Sequence, residues 1–245
     1  MEKLRPRAVI FDLGSTLIEY EAVPWHEMNR QCVASAHKFL LKKGYQLSDE
    51  TSFYDAFQNI RCRYREAAAE TLVEWTVPQV ATELFERLGL EMDDGIIDRF
   101  FDAYYKPVEK ILYAYDDVLD TLGQVKNKIP VLGLISNTVF PARAHLKELE
   151  EFNIKPFLNF TVFSSSFKLR KPHPDIFYRA ANLAGFAPSE CVYVGDRYVE
   201  DVEGPTGVGM TPILKIIEGR DYPEDMPDTL RTIRTLAELE RHIEI

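Results

Sequence analysis

The chain has 245 residues, with 29 Lys and Arg against 39 Asp and Glu, for a formal net charge of −10. With 46% hydrophobic and 12% aromatic residues it has the composition of an ordinary globular protein, which excludes a disordered, collagenous or low-complexity chain. The acidic balance argues against a nucleic-acid partner, which would ask for a basic face to release counterions. Apolar runs such as Val131 to Ile135 fall far short of the roughly 20 residues that cross a bilayer, so no membrane partner is expected. Lys3, Arg5 and Arg7 precede an apolar stretch, but Asp12 interrupts it and no small-residue cleavage site follows, which points to the cytoplasm. Cys32, Cys62 and Cys191 are too few and too far apart for a disulfide framework or a paired-cysteine zinc site, and read as free thiols.

In chain order, Ala8-Val9-Ile10-Phe11 is an unbroken apolar run ending in Asp12-Leu13-Gly14-Ser15-Thr16, the pattern of a buried parallel strand entering a turn. From about Glu21 to Pro107 the spacing turns helical. Met28, Cys32, Ala36, Phe39 and Leu40 share one helical face, and Phe57, Ile60 and Tyr64 a second. Val77, Val80, Ala81, Leu84, Phe85 and Leu88 mark a third helix, with Thr76 as N-cap, Pro78 in the first turn and Gly89 as the stop. Ile97, Phe100, Phe101 and Tyr104 mark a fourth.

Beyond Tyr115 helices and strands alternate. Helix Val118 to Lys126 leads to strand Pro130 to Ile135, helix Ala142 to Phe152 to strand Phe160 to Phe163, and helix Asp175 to Ala184 to strand Cys191 to Val194. A last strand near Pro212 to Ile217 precedes a C-terminal helix with Ile233, Leu236 and Leu239 inward. Such alternation predicts an α/β fold, a doubly wound parallel sheet with helices on both faces. Residues 1–20 and 112–245 then form an α/β core domain, interrupted by an all-helical domain over 21–111.

Ligands of such sheets bind beyond the carboxyl ends of the strands. The residues there are Asp12, then Ser136 and Asn137, then Lys171, and finally Gly195-Asp196 with Glu200 and Asp201. A candidate nucleophile, hydrogen-bond donors, a fixed cation and further carboxylates form the inventory for phosphoryl transfer. Taken singly the parts are weaker: Ser136-Asn137 alone makes a turn, and Lys168, Arg170, Lys171 and His173 read equally as a solvated basic loop.

Four segments in this order resemble the motifs of the haloacid dehalogenase (HAD) superfamily of aspartate-nucleophile hydrolases with a helical cap: Phe11-Asp12-Leu13-Gly14-Ser15-Thr16-Leu17, Ser136-Asn137, Arg170-Lys171-Pro172-His173-Pro174-Asp175-Ile176-Phe177, and Val194-Gly195-Asp196 through Asp201. The resemblance implies a Rossmann-like core, with Asp12 attacking the phosphorus of a phosphomonoester to form an aspartyl-phosphate. It implies Mg2+ held by Asp12, the Gly14 carbonyl and Asp196. Ser136, the backbone at Asn137, and Lys171 would bind the phosphate oxygens, with Asp201 behind them and Glu200 as a further carboxylate. The implied substrate is a small phosphorylated metabolite, and monomer and homodimer both stay open.

Phosphatases of the family usually carry a second aspartate two residues after the nucleophile, which protonates the leaving group. Here that residue is Gly14. Three readings follow: a phosphatase using water, Glu19, Glu21 or a cap residue instead; a branch cleaving another bond, as dehalogenases and phosphonatases do, with Lys38, Lys42 and Lys43 available for a Schiff base; or a non-catalytic protein that binds phosphate or a partner. Trp25, His26, Tyr20 and Tyr113 lie near the domain crossings, as packing or as substrate contacts.

Overall fold

A computed structural model describes residues 2–244, and the chain divides into two compact units. One comprises the residues up to Glu19, Tyr113–Thr138 and the residues from Ala142 onward; the other comprises Tyr20–Leu112 and Val139–Pro141. The elements in chain order are β1 (Ala8–Phe11), β2 (Ile18–Glu19), α1 (Trp25–Lys42), α2 (Glu50–Thr71), α3 (Val77–Leu88), α4 (Ile96–Glu109), β3 (Tyr113–Ala114), α5 (Val118–Lys128), β4 (Val131–Ser136), α6 (Ala142–Glu151), β5 (Phe160–Phe163), α7 (Ser164–Phe167), α8 (Pro174–Ala184), β6 (Cys191–Gly195), α9 (Gly204–Gly207), β7 (Thr211–Lys215) and β8 (Arg231–Ile233). Among the described residues, no helix is long and apolar enough to cross a membrane.

The first unit is built on a six-stranded sheet in the order β5-β4-β1-β6-β7-β8, every neighbouring pair parallel. Strand β1 is buried along its whole length, as its unbroken apolar run requires. One face packs Ala8, Ile10, Ile135, Val162 and Tyr193 against Ile176, Phe177 and Ala180 of α8. From β1 the chain runs outward through β4 and β5, then returns to the other side of β1 for β6, β7 and β8. The carboxyl end of β1 therefore lies where the winding reverses, the place such sheets open to ligands.

Beyond β7 the sequence expectation needs correcting. Ile233 belongs to β8, which pairs with β7, and the chain after it makes a single 3-10 stretch, Leu236–Arg241, in place of the expected C-terminal helix. Sheet hydrogen bonds to Ile213–Lys215 complete the edge of the sheet and outweigh the helical spacing of Ile233, Leu236 and Leu239. Strands β2 and β3 form a two-stranded antiparallel ribbon that no local pattern announced.

The second unit is helical, and its helices start and stop for local reasons. Asp49 caps α2 by accepting the amides of Thr51 and Ser52. At α3, Thr76 and Gln79 form a reciprocal capping box, Pro78 lies in the first turn, and Gly89 ends the helix at φ 61° in the left-handed region that favours glycine. The core is aromatic: Phe57 lies 5.6 Å from Tyr104 and Phe100 meets Phe85 edge-on at 6.0 Å, ring centre to ring centre. The Tyr104 hydroxyl donates to Asn29 Oδ1 at 2.8 Å.

Candidate active site

Asp12 follows β1 directly, and its amide still donates to the carbonyl of Val194 at 2.8 Å, so the sheet aims this side chain. The next residues fold into a tight loop: Leu17 and Ile18 donate to the carbonyl of Leu13 at 2.9 and 3.0 Å, and Ser15 donates to Ile18 at 2.8 Å. Ser15 adopts φ 55°, a left-handed conformation disfavoured for a side chain with Cβ, and Lys215 braces it. The Lys215 ammonium, buried at the end of β7, donates to the carbonyls of Ser15 and Thr16 at 2.8 and 3.1 Å and stands 3.5 Å above the Tyr115 ring. Burial pushes Lys215 down to about 8, against the pull of Asp117, Glu19 and Asp12.

Lys171 reaches the same place from the loop before α8. Its side chain is 2% exposed, and its ammonium donates to Asp12 Oδ1 at 2.7 Å, Asp201 Oδ1 at 2.6 Å and the Tyr193 hydroxyl at 2.9 Å. Burial alone would discharge it; the carboxylates of Asp12 and Asp201 outweigh that cost and hold it well above the ordinary lysine value. Burial raises the Asp12 carboxyl, with the Lys171 ammonium opposing. Asn137 fixes the lysine's backbone: its Oδ1 accepts the Lys171 amide at 2.7 Å and its Nδ2 donates to the Lys171 carbonyl at 2.9 Å.

Asp201 is wholly buried, and its second oxygen accepts the amides of Asp196 and Arg197 at 3.0 and 2.9 Å. Gly195 makes this possible, since a Cβ there would lie 2.4 Å from Asp201 Cγ. Asp196 is 1% exposed. Thr16 Oγ1 stands between the two outer carboxylates, 3.3 Å from Asp12 Oδ2 and 3.5 Å from Asp196 Oδ1. Oxygens of Asp12, Asp196 and Asp201 lie within 4.8 Å of one another. An all-oxygen, anionic, buried set of this kind fits a hard divalent cation. Asp196 Oδ2 pairs with the guanidinium of Arg220.

Asp12, Lys171, Asp196, Asp201 and Asn137 are thus joined by direct contacts. Ser136 ends β4, buried, in the strand beside β1, and Gly14 is half-buried in the loop after Asp12. Glu200 is half-buried on the π-helical turn Val199–Glu203 and is outside the carboxylate group that could ligate a metal. Of the basic cluster Lys171 enters this network, while Lys168 is exposed at φ 76°, and His173 caps α8 by accepting the Asp175 amide at 3.2 Å. Trp25, 40% exposed, lies 6.1 Å from Phe140 within the helical unit. A buried chain from Thr138 through His145 to Glu148, with links of 2.6 and 2.8 Å, backs the Ser136-Asn137 loop.

Sequence reasoning missed Lys215, Arg220, Tyr193 and Tyr222. Lys215 carried a signal, because it closes an apolar strand as Asp12 does. Arg220 sits in an aperiodic loop with none.

Residues 6–209 match the haloacid dehalogenase-like hydrolase family, and the chain belongs to it. Among its relatives is a glyceraldehyde 3-phosphate phosphatase of Methanopyrus kandleri, 26% identical over 84% of this chain and 82% of the relative. A phosphoglycolate phosphatase of Escherichia coli is 32% identical over 130 residues, which is 53% of this chain and half of the relative. In fold the chain resembles a 2-haloacid dehalogenase of Pseudomonas syringae pv. Tomato, with a TM-score of 0.74 and 19% identity over 96% of this chain and 97% of the other.

Proposed function

We propose that the protein is a Mg2+-dependent phosphatase of small phosphorylated metabolites, with Asp12 as nucleophile. The observation that carries this reading is the buried Lys171 ammonium shared by Asp12 and Asp201 beside Asp196. A cation fixed there holds the attacking carboxylate in place and offers charge to the oxygens of a transferring phosphoryl group. The names of the relatives in Methanopyrus kandleri and Escherichia coli, each a phosphatase of a small phosphate ester, support the substrate class.

In the proposed reaction an Asp12 oxygen bonds to phosphorus as the bond to the ester oxygen breaks. Water then cleaves the aspartyl-phosphate, returning the carboxylate and releasing phosphate. Ser136, the amide at Asn137, and Lys171 bind the phosphate oxygens, while Asp201 and Tyr193 fix the lysine. Mg2+, held by Asp12, the Gly14 carbonyl and Asp196, would supply positive charge that lets an anionic nucleophile meet an anionic substrate. Residue 14 has no side chain to protonate the leaving oxygen, so the proton comes from water or another group, and substrates with acidic leaving groups are favoured. The helical unit is read as the cap that selects the substrate.

The test is phosphate release from acetyl phosphate and p-nitrophenyl phosphate, with Mg2+ or EDTA, by the wild type and Asp12→Asn. Metal-dependent turnover reduced by about 10³-fold or more in the variant is the expected result. Turnover equal in the two proteins would refute Asp12 as nucleophile. Gly14 favours a second reading, cleavage of another bond, and halide release from a 2-haloacid without phosphate release would replace the first.

A further inference from the structure

The cation that meets Asp196 comes from none of the four motifs. Arg220, in the loop after β7, sets its guanidinium on Asp196 Oδ2, with Nη2 3.5 Å from Ser15 Oγ. The loop itself is tied down separately. The Tyr222 hydroxyl donates to the Asp196 carbonyl at 3.0 Å and accepts the Ile217 amide at 3.0 Å. Backbone and guanidinium are therefore held by different bonds, and the side chain can leave Asp196 while the loop keeps its anchor.

Charge sets what that exchange means. Asp12, Asp196 and Asp201 bring three negative charges to the cluster, and Lys171 and Arg220 return two positive ones, leaving one negative charge. Without Arg220 the balance is two negative charges, which a divalent cation neutralises. Asp196 Oδ1 is the oxygen near Thr16, and Oδ2 is the one under Arg220. A guanidinium and a divalent ion cannot share that carboxylate closely without strong like-charge repulsion in a buried site.

We propose that Arg220 is a built-in competitor for the divalent cation: its guanidinium neutralises Asp196 in the metal-free protein and swings away when the metal enters, so that this exchange sets metal affinity. The inference rests on the metal-dependent reading above, yet its test reads binding rather than turnover. Mn2+ is titrated into the wild type, Arg220→Gln, Arg220→Lys and Asp196→Asn, with free ion followed by electron paramagnetic resonance. Arg220→Gln should bind Mn2+ at least about ten-fold more tightly than the wild type, Arg220→Lys should stay near the wild type, and Asp196→Asn should lose the site. In the wild type, the guanidinium NMR signals that Arg220→Gln deletes should lose their protection from exchange when Mg2+ is added.

Unchanged or weaker Mn2+ binding in Arg220→Gln, with binding still dependent on Asp196, overturns the competitor and leaves the metal site standing. Absence of Asp196-dependent binding in both wild type and Arg220→Gln overturns the inference together with the metal-dependent reading. Arg220 signals that stay protected in the metal-loaded wild type also overturn it, because both cations would then occupy the carboxylate together.

Discussion

In the α/β unit five charged side chains gather at the carboxyl ends of the strands, Asp12, Lys171, Asp196, Asp201 and Lys215, all nearly sealed from solvent, with Glu148, His145 and several Ser and Thr side chains buried beside them. In the helical unit the interior is aromatic, built on Phe53, Phe57, Phe85, Phe100 and Tyr104, with Asn29, His37 and Glu74 as its buried polar side chains. The two units therefore depend on different physics. Aromatic burial and caps act through neighbours in sequence or on adjacent helices and depend little on pH. Buried charges cost several kcal/mol each unless partnered, and those partners come from distant parts of the chain. A structure that keeps five charged groups together in one unit is organised around what they do to a ligand.

The largest effect expected from breaking this contrast is at Lys171. Lys171→Met leaves Asp12 and Asp201 facing each other without their shared cation, which should cost about 3–5 kcal/mol in urea unfolding and remove turnover. The pH dependence should steepen, because the Asp12 carboxyl that burial already raises loses the opposing Lys171 ammonium. A carboxyl raised by burial binds its proton more tightly folded than unfolded, so the variant should gain stability as the pH falls from 7 towards 5. A loss below about 1 kcal/mol would mean that the network is weakly coupled to the fold.

Lys215 gives a smaller and more specific effect. Its folded value is near 8, against about 10.4 for an unfolded lysine. Between those limits the unfolded chain binds the extra proton, so this residue's contribution rises with pH from about 8 to about 10.4 and is lost as pH falls back through 8, spanning up to about 3 kcal/mol. The stability difference between wild type and Lys215→Met should therefore shift in favour of the wild type over that window, and a flat difference would place the ammonium in a solvated setting. Smallest is a change in the helical unit: Thr76→Ala removes the α3 capping box and should cost about 1 kcal/mol at any pH from 6 to 9, without changing metal affinity.

Legibility in sequence followed the same divide. The caps at Thr76 and Gly89 and the apolar faces of the helices are local, and they were readable because each partner lies within one or two helical turns. The strands β1, β4, β5 and β6 were readable because a doubly covered parallel strand is an unbroken apolar run. The β2 and β3 ribbon and β8 were not, because two or three residues carry no period. At the site, Asp12, Ser136, Lys171 and Asp196 were legible as residues closing strands or following them, while Tyr193 was hidden inside an apolar run and Arg220 in a loop.

By itself, then, the sequence determined the alternation of elements, the family, and the residues that stand at the strand ends. Only the tertiary structure decided which charges meet: Lys171 with Asp12, 159 residues away, Lys215 with the carbonyls of Ser15 and Thr16, 200 and 199 residues away, and Arg220 with Asp196. The physical reason is range. Helix and strand periods are written within a few residues, whereas the partner of a buried charge is whatever the sheet order brings within about 3 Å, a distance that no spacing along the chain encodes.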